Sequence, residues 1–225
     1  MSMCEFRAVF FDLEGTLVNT AHAPEIFRRI LEAYGVMAKL GNIAEAHQAN
    51  MNEFDAKEMS NSGTSFWIRW NMKILERVGV QENKEFLAKK IDEEWFEYAD
   101  LEMFSDVVET LVRLKSRGIK LGIVTNGSRR DFELILGKFG LTEYFDIVVG
   151  ADTFGRAKPD EEVFLQAVGR IGTKPEETLF IGDSVESDYE GAGKAGLKPL
   201  LIDRDGKTSE NVERIRSLVG ILDYV

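Results

Sequence analysis

Cysteine is almost missing from this chain of 225 residues. Cys4 stands alone, which excludes an intrachain disulfide and any cysteine cluster for zinc or iron–sulfur chemistry and points to a reducing compartment. Histidine is nearly as scarce: His22 and His47 are the only two, neither falls in a motif, and packing is the expected role of both. Positive charge is also short, with 28 Lys and Arg against 39 Asp and Glu and a formal net charge of -11. That balance excludes a broad nucleic-acid or anionic-membrane footprint, so an anionic substrate needs a local positive site. No apolar run approaches membrane-spanning length, and the first one is interrupted by Glu5 and Arg7 and closed by Asp12. No export segment is expected there, and a cytoplasmic protein is the natural reading. Internal repeats and low-complexity linkers are lacking too. What remains is a chain 44% hydrophobic, enough for one core domain carrying a smaller inserted one.

The order of patterns gives that division a shape. Arg7 to Phe11 reads as a short buried strand that breaks at once into Asp12, Glu14, Gly15 and Thr16. A helix follows from about Pro24, with Ile26, Phe27, Ile30, Leu31 and Tyr34 at helical spacing and Gly35 as its stop. From about Gly41 to Asp100 no strand alternation is present: Ile43 to Met59 is mixed, Phe66 to Val78 carries apolar residues at helical spacing, Phe86 to Tyr98 is amphipathic, and the stretch reads as an all-helical block of about four helices. Phe66, Trp67, Trp70 and Trp95 within it read as its core. After Met103 strands and helices alternate. Helices are expected over Phe104 to Gly118 with Val107, Val108, Leu111 and Leu114 inward, Arg130 to Phe139, Glu161 to Ile171, Glu186 to Ala195 and Ser209 to Leu218. Strands are expected at Lys120 to Val124, Phe145 to Val149, Thr178 to Ile181 and Pro199 to Ile202, with a further edge strand at Ile221 to Tyr224. Such alternation with short connections implies a doubly wound parallel α/β sheet in a three-layer sandwich. The expected domains are a core of residues 1–19 and 102–225 and a helical insertion of residues 20–101.

In an open parallel sheet, ligands bind outside the carboxyl ends of the strands, and the residues after each expected strand are polar. Asp12 and Glu14 follow the first, Thr125, Asn126 and Gly127 the second, Lys158-Pro159 lies in the loop beyond the third, and Asp183, Ser184 and Asp188 follow the fourth. If the extended backbone persists, Asp12 and Glu14 project the same way. Crowded carboxylates repel, so a proton or a cation must neutralise at least one. A hard divalent ion such as Mg²⁺ fits an all-oxygen set of carboxylates, a carbonyl, waters and a phosphate, whereas zinc does not. Thr125, the amides after it, the Gly127 turn and Lys158 together offer an anion cradle. Within it Asp12 can act as a nucleophile on phosphorus and Glu14 as the acid and base.

The segments DLEGT, TNG, KP and GDSxxxD, in this order after successive strands, closely resemble the four motifs of the haloacid dehalogenase superfamily. The resemblance runs from Arg7 to about Asp205 and includes an inserted helical block like the family's C1 cap. It implies that Asp12 is the nucleophile, that Thr125, Asn126, Gly127 and Lys158 hold the phosphoryl group, and that Asp12, the Glu14 carbonyl and Asp183 hold Mg²⁺, with Asp188 in the outer shell or bridged by water. The activity it implies is that of a Mg²⁺-dependent phosphatase acting on a small phosphorylated metabolite through an aspartyl phosphate. The family's usual first motif carries aspartate where this chain has Glu14, although enolase-phosphatases in the superfamily also use DxEGT. Glutamate keeps the acid and differs by about 0.4 in unperturbed pKa.

Two other readings make different demands. A metal-independent haloacid dehalogenase needs Asp12 to attack carbon, which the uncompensated charges of Glu14, Asp183 and Asp188 oppose. A phosphate-binding module resembling a receiver domain, with little or no turnover, would be shorter and would place its reactive aspartate after the third strand, where only Asp152 stands.

Overall fold

The computed structural model describes residues 6–54 and 64–225. Cys4 and the end of the Ile43 to Met59 stretch lie outside the described residues. The chain divides into two compact units, Met1–Asn19 with Glu102–Val225 and Thr20–Leu101.

The first unit is built on a parallel six-stranded sheet. Its strands are β1 (Ala8–Phe11), β4 (Lys120–Val124), β5 (Ile147–Val149), β6 (Thr178–Gly182), β7 (Lys198–Ile202) and β8 (Arg214–Ile215), in the order β5-β4-β1-β6-β7-β8. A separate two-stranded antiparallel ladder pairs β2 (Val18–Asn19) with β3 (Glu102–Met103). β1 is central and buried along its whole length, which is why its sequence is continuous Ala-Val-Phe-Phe without alternation. From β1 the chain builds outward through β4 and β5 on one side, then returns to build β6, β7 and β8 on the other. That reversal opens a cleft at the carboxyl end of β1. Register fixes what meets there: Phe11 pairs with Ile123 and with Ile181, so Asp12, Thr125 and Asp183 emerge within two residues of one another along the same edge.

The second unit contains α1 (Ala23–Ala33), α2 (Leu40–Glu53), α3 (Thr64–Arg77) and α4 (Lys84–Glu94), closed by a 3₁₀ turn at Trp95–Glu97. Pro24 stands in the first turn of α1, where its missing N–H costs nothing. Phe54, Phe66 and Trp70 are buried together, and Trp67 packs edge-on to Phe66 and Trp70. The buried Asn50 links two helices, donating from Nδ2 to the Trp70 carbonyl at 3.0 Å while its Oδ1 accepts from Arg77. His47 lies edge-on to Phe27, and His22 is exposed before α1.

Flanking the sheet in the first unit are α5 (Val107–Ser116), α6 (Arg129–Phe139), α7 (Glu161–Ile171) and the short α8 (Gly191–Lys194). Phe164 of α7 meets Phe180 of β6 edge to face at 5.0 Å, inside a cluster with Phe10, Val124, Val149 and Val168. Four expectations are corrected here. Val108 faces outward, while Thr110 is buried and its hydroxyl donates to the Asp106 carbonyl at 2.6 Å. The helix expected over Ser209 to Leu218 is absent: the Asp203 carboxylate accepts the Lys207 and Thr208 amides, the chain loops, and Arg214–Ile215 adds to β7. Among 209–218 only Ile215 and Leu218 are buried, too few for a helix face. Ile221 to Tyr224 is no strand, because adjacent Ile221 and Leu222 are both buried in the 3₁₀ turn Leu218–Asp223. Glu186 to Ala195 is not one α-helix; a π-helical turn, Val185–Glu190, precedes α8.

Candidate active site

β1 stops at Phe11, and the Asp12 amide adds one more bond, donating to the Ile181 carbonyl at 2.8 Å. Beyond it the backbone turns, so the expected strand alternation between Asp12 and Glu14 does not hold. Gly15 takes φ 82, its amide bonds the Val18 carbonyl at 2.7 Å, and a Cβ there would stand 2.4 Å from Asp183 Oδ2. Only glycine meets both demands. Thr16, fully buried, donates its hydroxyl to Asp183 Oδ1 at 3.3 Å. The first-strand loop is thus folded against the loop after β6.

Lys158 holds the centre. It is 5% exposed, and its Nζ donates to Asp12 Oδ1 and to Asp188 Oδ1 at 2.6 Å each, above the Phe180 ring. Its backbone is gripped in turn by Asn126, whose Nδ2 donates to the Lys158 carbonyl at 3.0 Å and whose Oδ1 accepts the Lys158 amide at 2.8 Å. The peptide that follows, to Pro159, is cis. Asp188 turns inward from the π-helical turn, and its Oδ2 accepts the Ser184 amide at 3.0 Å. A Cβ at Gly182 would lie 2.2 Å from the Asp188 carboxyl carbon. Thr125 is buried and its Oγ1 accepts the Gly127 amide at 3.1 Å, which leaves the hydroxyl hydrogen for a ligand.

Charge is unbalanced in this cluster. Oxygens of Asp12, Asp183 and Asp188 lie within 4.8 Å of one another, and the ammonium among them bonds Asp12 and Asp188 but not the more exposed Asp183. Burial, with the Asp188 and Asp183 charges behind it, lifts the Asp12 carboxyl to about 8 against the pull of Lys158. Glu14 is lifted to about 7 by burial and then by Asp131 and Asp183. Burial alone would lower the Lys158 ammonium, but Asp12 and Asp188 outweigh it and hold it above the usual lysine range. An excess of buried negative charge with oxygen donors alone is the environment of a hard cation.

The structure therefore gathers Asp12, Lys158, Asp183 and Asp188 by direct contact or close approach, and brings Glu14 under their field. Thr125 and Gly127 form a turn at the same edge. The Asn126 side chain is engaged by the Lys158 backbone, which leaves its expected part in the anion cradle to its main-chain amide. Two residues were not anticipated. Asp131 forms a capping box with Ser128 at the start of α6, accepting the Ser128 amide at 3.0 Å, and its charge acts on Glu14. The Ser128-x-x-Asp131 spacing signals a helix start, but nothing local in it announces proximity to Glu14. Thr16 is the other, and its position inside the first motif was the only signal.

Similarity to known proteins extends over most of the chain. Residues 9–202 match the sequence model of the haloacid dehalogenase-like hydrolases. A glyceraldehyde 3-phosphate phosphatase of Methanocaldococcus jannaschii is 30% identical over 197 residues, covering 87% of this chain and 84% of that one. A phosphoglycolate phosphatase of Aquifex aeolicus is 28% identical over 198 residues, with 87% and 84% covered. In structure, the HAD-hydrolase YfnB of Bacillus subtilis, crystallised with magnesium, superposes with a TM-score of 0.80 at 22% identity over 97% of this chain and 98% of that one.

Proposed function

The chain belongs to the haloacid dehalogenase-like hydrolase family, and from that premise we propose that it is a Mg²⁺-dependent phosphatase of small phosphorylated metabolites, working through an aspartyl phosphate on Asp12. The observation that carries this reading is the buried Asp12 at the sheet edge, sharing the Lys158 ammonium with Asp188 while Asp183 stands within reach. The all-oxygen triad fits Mg²⁺: Asp12, Asp183 and the Glu14 backbone carbonyl would hold it, with Asp188 behind them, already engaged by Lys158 and Ser184. When bound, such an ion polarises phosphoryl oxygens and offsets the charge that would repel an incoming phosphate.

The remaining work falls to the chain's own groups. Thr125 and the Asn126 amide after it orient the phosphoryl oxygens, and Lys158 aims Asp12 through its bond to Oδ1 and opposes the burial and neighbouring charges that raise its carboxyl. An Asp12 carboxylate oxygen attacks phosphorus as the bond from phosphorus to the leaving alcohol breaks, and Glu14, protonated near neutrality, gives that alcohol its proton. Glu14 then takes a proton from water, which attacks phosphorus and frees Asp12. The helical unit, 20–101, is proposed to act as the cap that selects the leaving group. A cytoplasmic setting belongs to the same proposal and rests on the single cysteine and the acidic balance.

The names of the relatives put glyceraldehyde 3-phosphate and phosphoglycolate at the head of a phosphomonoester panel. Turnover is expected to need Mg²⁺ and to fall by roughly 10⁴-fold or more in Asp12→Asn. Turnover without Mg²⁺, or unchanged by the substitution, overturns the proposal; halide release from haloacids in excess chelator would replace it with the dehalogenase reading.

A further inference from the structure

Two residues beyond β7, Arg204 reaches back to the first-strand loop. Its two terminal nitrogens fork onto Asp106, at 2.9 and 3.1 Å, and one of them also donates to the Thr16 carbonyl at 2.8 Å. The guanidinium lies 3.7 Å over the Phe104 ring, and its buried Nε has no partner among the described residues. Asp106 is itself fixed by the Ser217 hydroxyl at 2.8 Å and the Leu218 amide at 2.9 Å. An ion pair needed only for stability would be complete with the fork alone. The third donation goes to the residue whose hydroxyl holds Asp183.

We propose that Arg204 is a positioning residue for the metal-holding carboxylates: by fixing the Thr16 carbonyl it sets the Thr16 hydroxyl against Asp183, and with it the Gly15 backbone on which Asp183 rests. The inference rests on the phosphatase reading. Thr16 is tied on opposite sides, to Arg204 through its carbonyl and to Asp183 through its hydroxyl, so releasing one tie frees the other. Lysine cannot reproduce the arrangement, because a single ammonium lacks the planar fork that spans Asp106 and a carbonyl together.

The test is Mn²⁺ binding to the full chain without substrate, followed by electron paramagnetic resonance, alongside thermal melting and the split of kcat from KM. Arg204→Met is expected to weaken Mn²⁺ binding roughly 10–100-fold, to lower kcat more than it raises KM, and to be rescued in part by Arg204→Lys. Arg117→Met serves as the control, since Arg117 ties α5 to the Leu222 carbonyl away from the site; it is expected to lower the melting temperature and leave Mn²⁺ affinity alone. A folded Arg204→Met with wild-type affinity overturns the inference. Should that variant fail to fold, Arg204→Lys decides: weakened binding supports the inference and unchanged binding overturns it. A wild type that takes up no Mn²⁺ overturns the phosphatase reading and this inference with it, whereas wild-type binding indifferent to Arg204 defeats the inference alone.

Discussion

A carboxylate buried at the end of a strand keeps its charge only if something beside it compensates, and Asp12 has half a share of one ammonium. Glu14 has less, which is why burial and Asp131 can hold its proton to about 7. An acid poised there matters most when the leaving group is poor. Glu14→Gln is expected to lower kcat by roughly 10²–10⁴-fold on alkyl phosphates and far less on p-nitrophenyl phosphate, whose leaving oxygen needs no proton; equal losses on both would remove Glu14 from proton transfer. At this scale the gathering of Asp12, Lys158, Asp183 and Asp188, with Thr125 on the same edge, was legible, because strand ends on one sheet edge must converge. The Asn126 clamp and the approach of Asp131 to Glu14 were not, since both depend on how loops fold over one another after the strands are placed.

Elements are held in this sheet by close approaches that only glycine permits, and two of them separate stability from function. A Cβ at Gly122 of β4 would lie 2.2 Å from the Phe10 ring, deep in the core, while one at Gly182 of β6 would meet Asp188. Alanine at either position is expected to cost about 1–3 kcal/mol through overpacking, read as a lower denaturant midpoint. Gly182→Ala is expected to lower kcat as well, because Asp188 and the shared Lys158 must move; Gly122→Ala is expected to leave kcat near wild type. Element type was legible wherever apolar spacing ran long enough, as in α1 and α7. It failed after β7, where Ile215 and Leu218 suit a helix in isolation but the sheet offers an open edge. It also failed at Val185–Glu190, where a widened turn aims Asp188 inward in a way that helical spacing does not encode.

For the molecule as a whole, the crowded carboxylates are expected to make stability depend on pH and on divalent ions. Asp12 and Glu14 stand at about 8 and about 7 in the folded chain, against ordinary values of 3.8 and 4.5. Between those limits the folded chain keeps protons that the unfolded chain has released, so stability falls as pH rises through that window. Asp106, held below its ordinary value despite burial by Arg204 and the Leu218 amide, acts in the opposite sense at more acid pH. In chelator the melting temperature is expected to drop between about pH 5 and pH 8, and Mg²⁺ is expected to restore more of it at the upper pH than at the lower; a flat profile by calorimetry would contradict this.

The two-residue ladder of β2 and β3 has a consequence for how such a chain can change. Asn19 faces Glu102 across an antiparallel pair, so the residues on either side of 20–101 stand as the two arms of a hairpin. To the sheet, everything between them is a turn of arbitrary length. Its sequence can be lengthened, shortened or exchanged without shifting the register that carries Asp12 to its place.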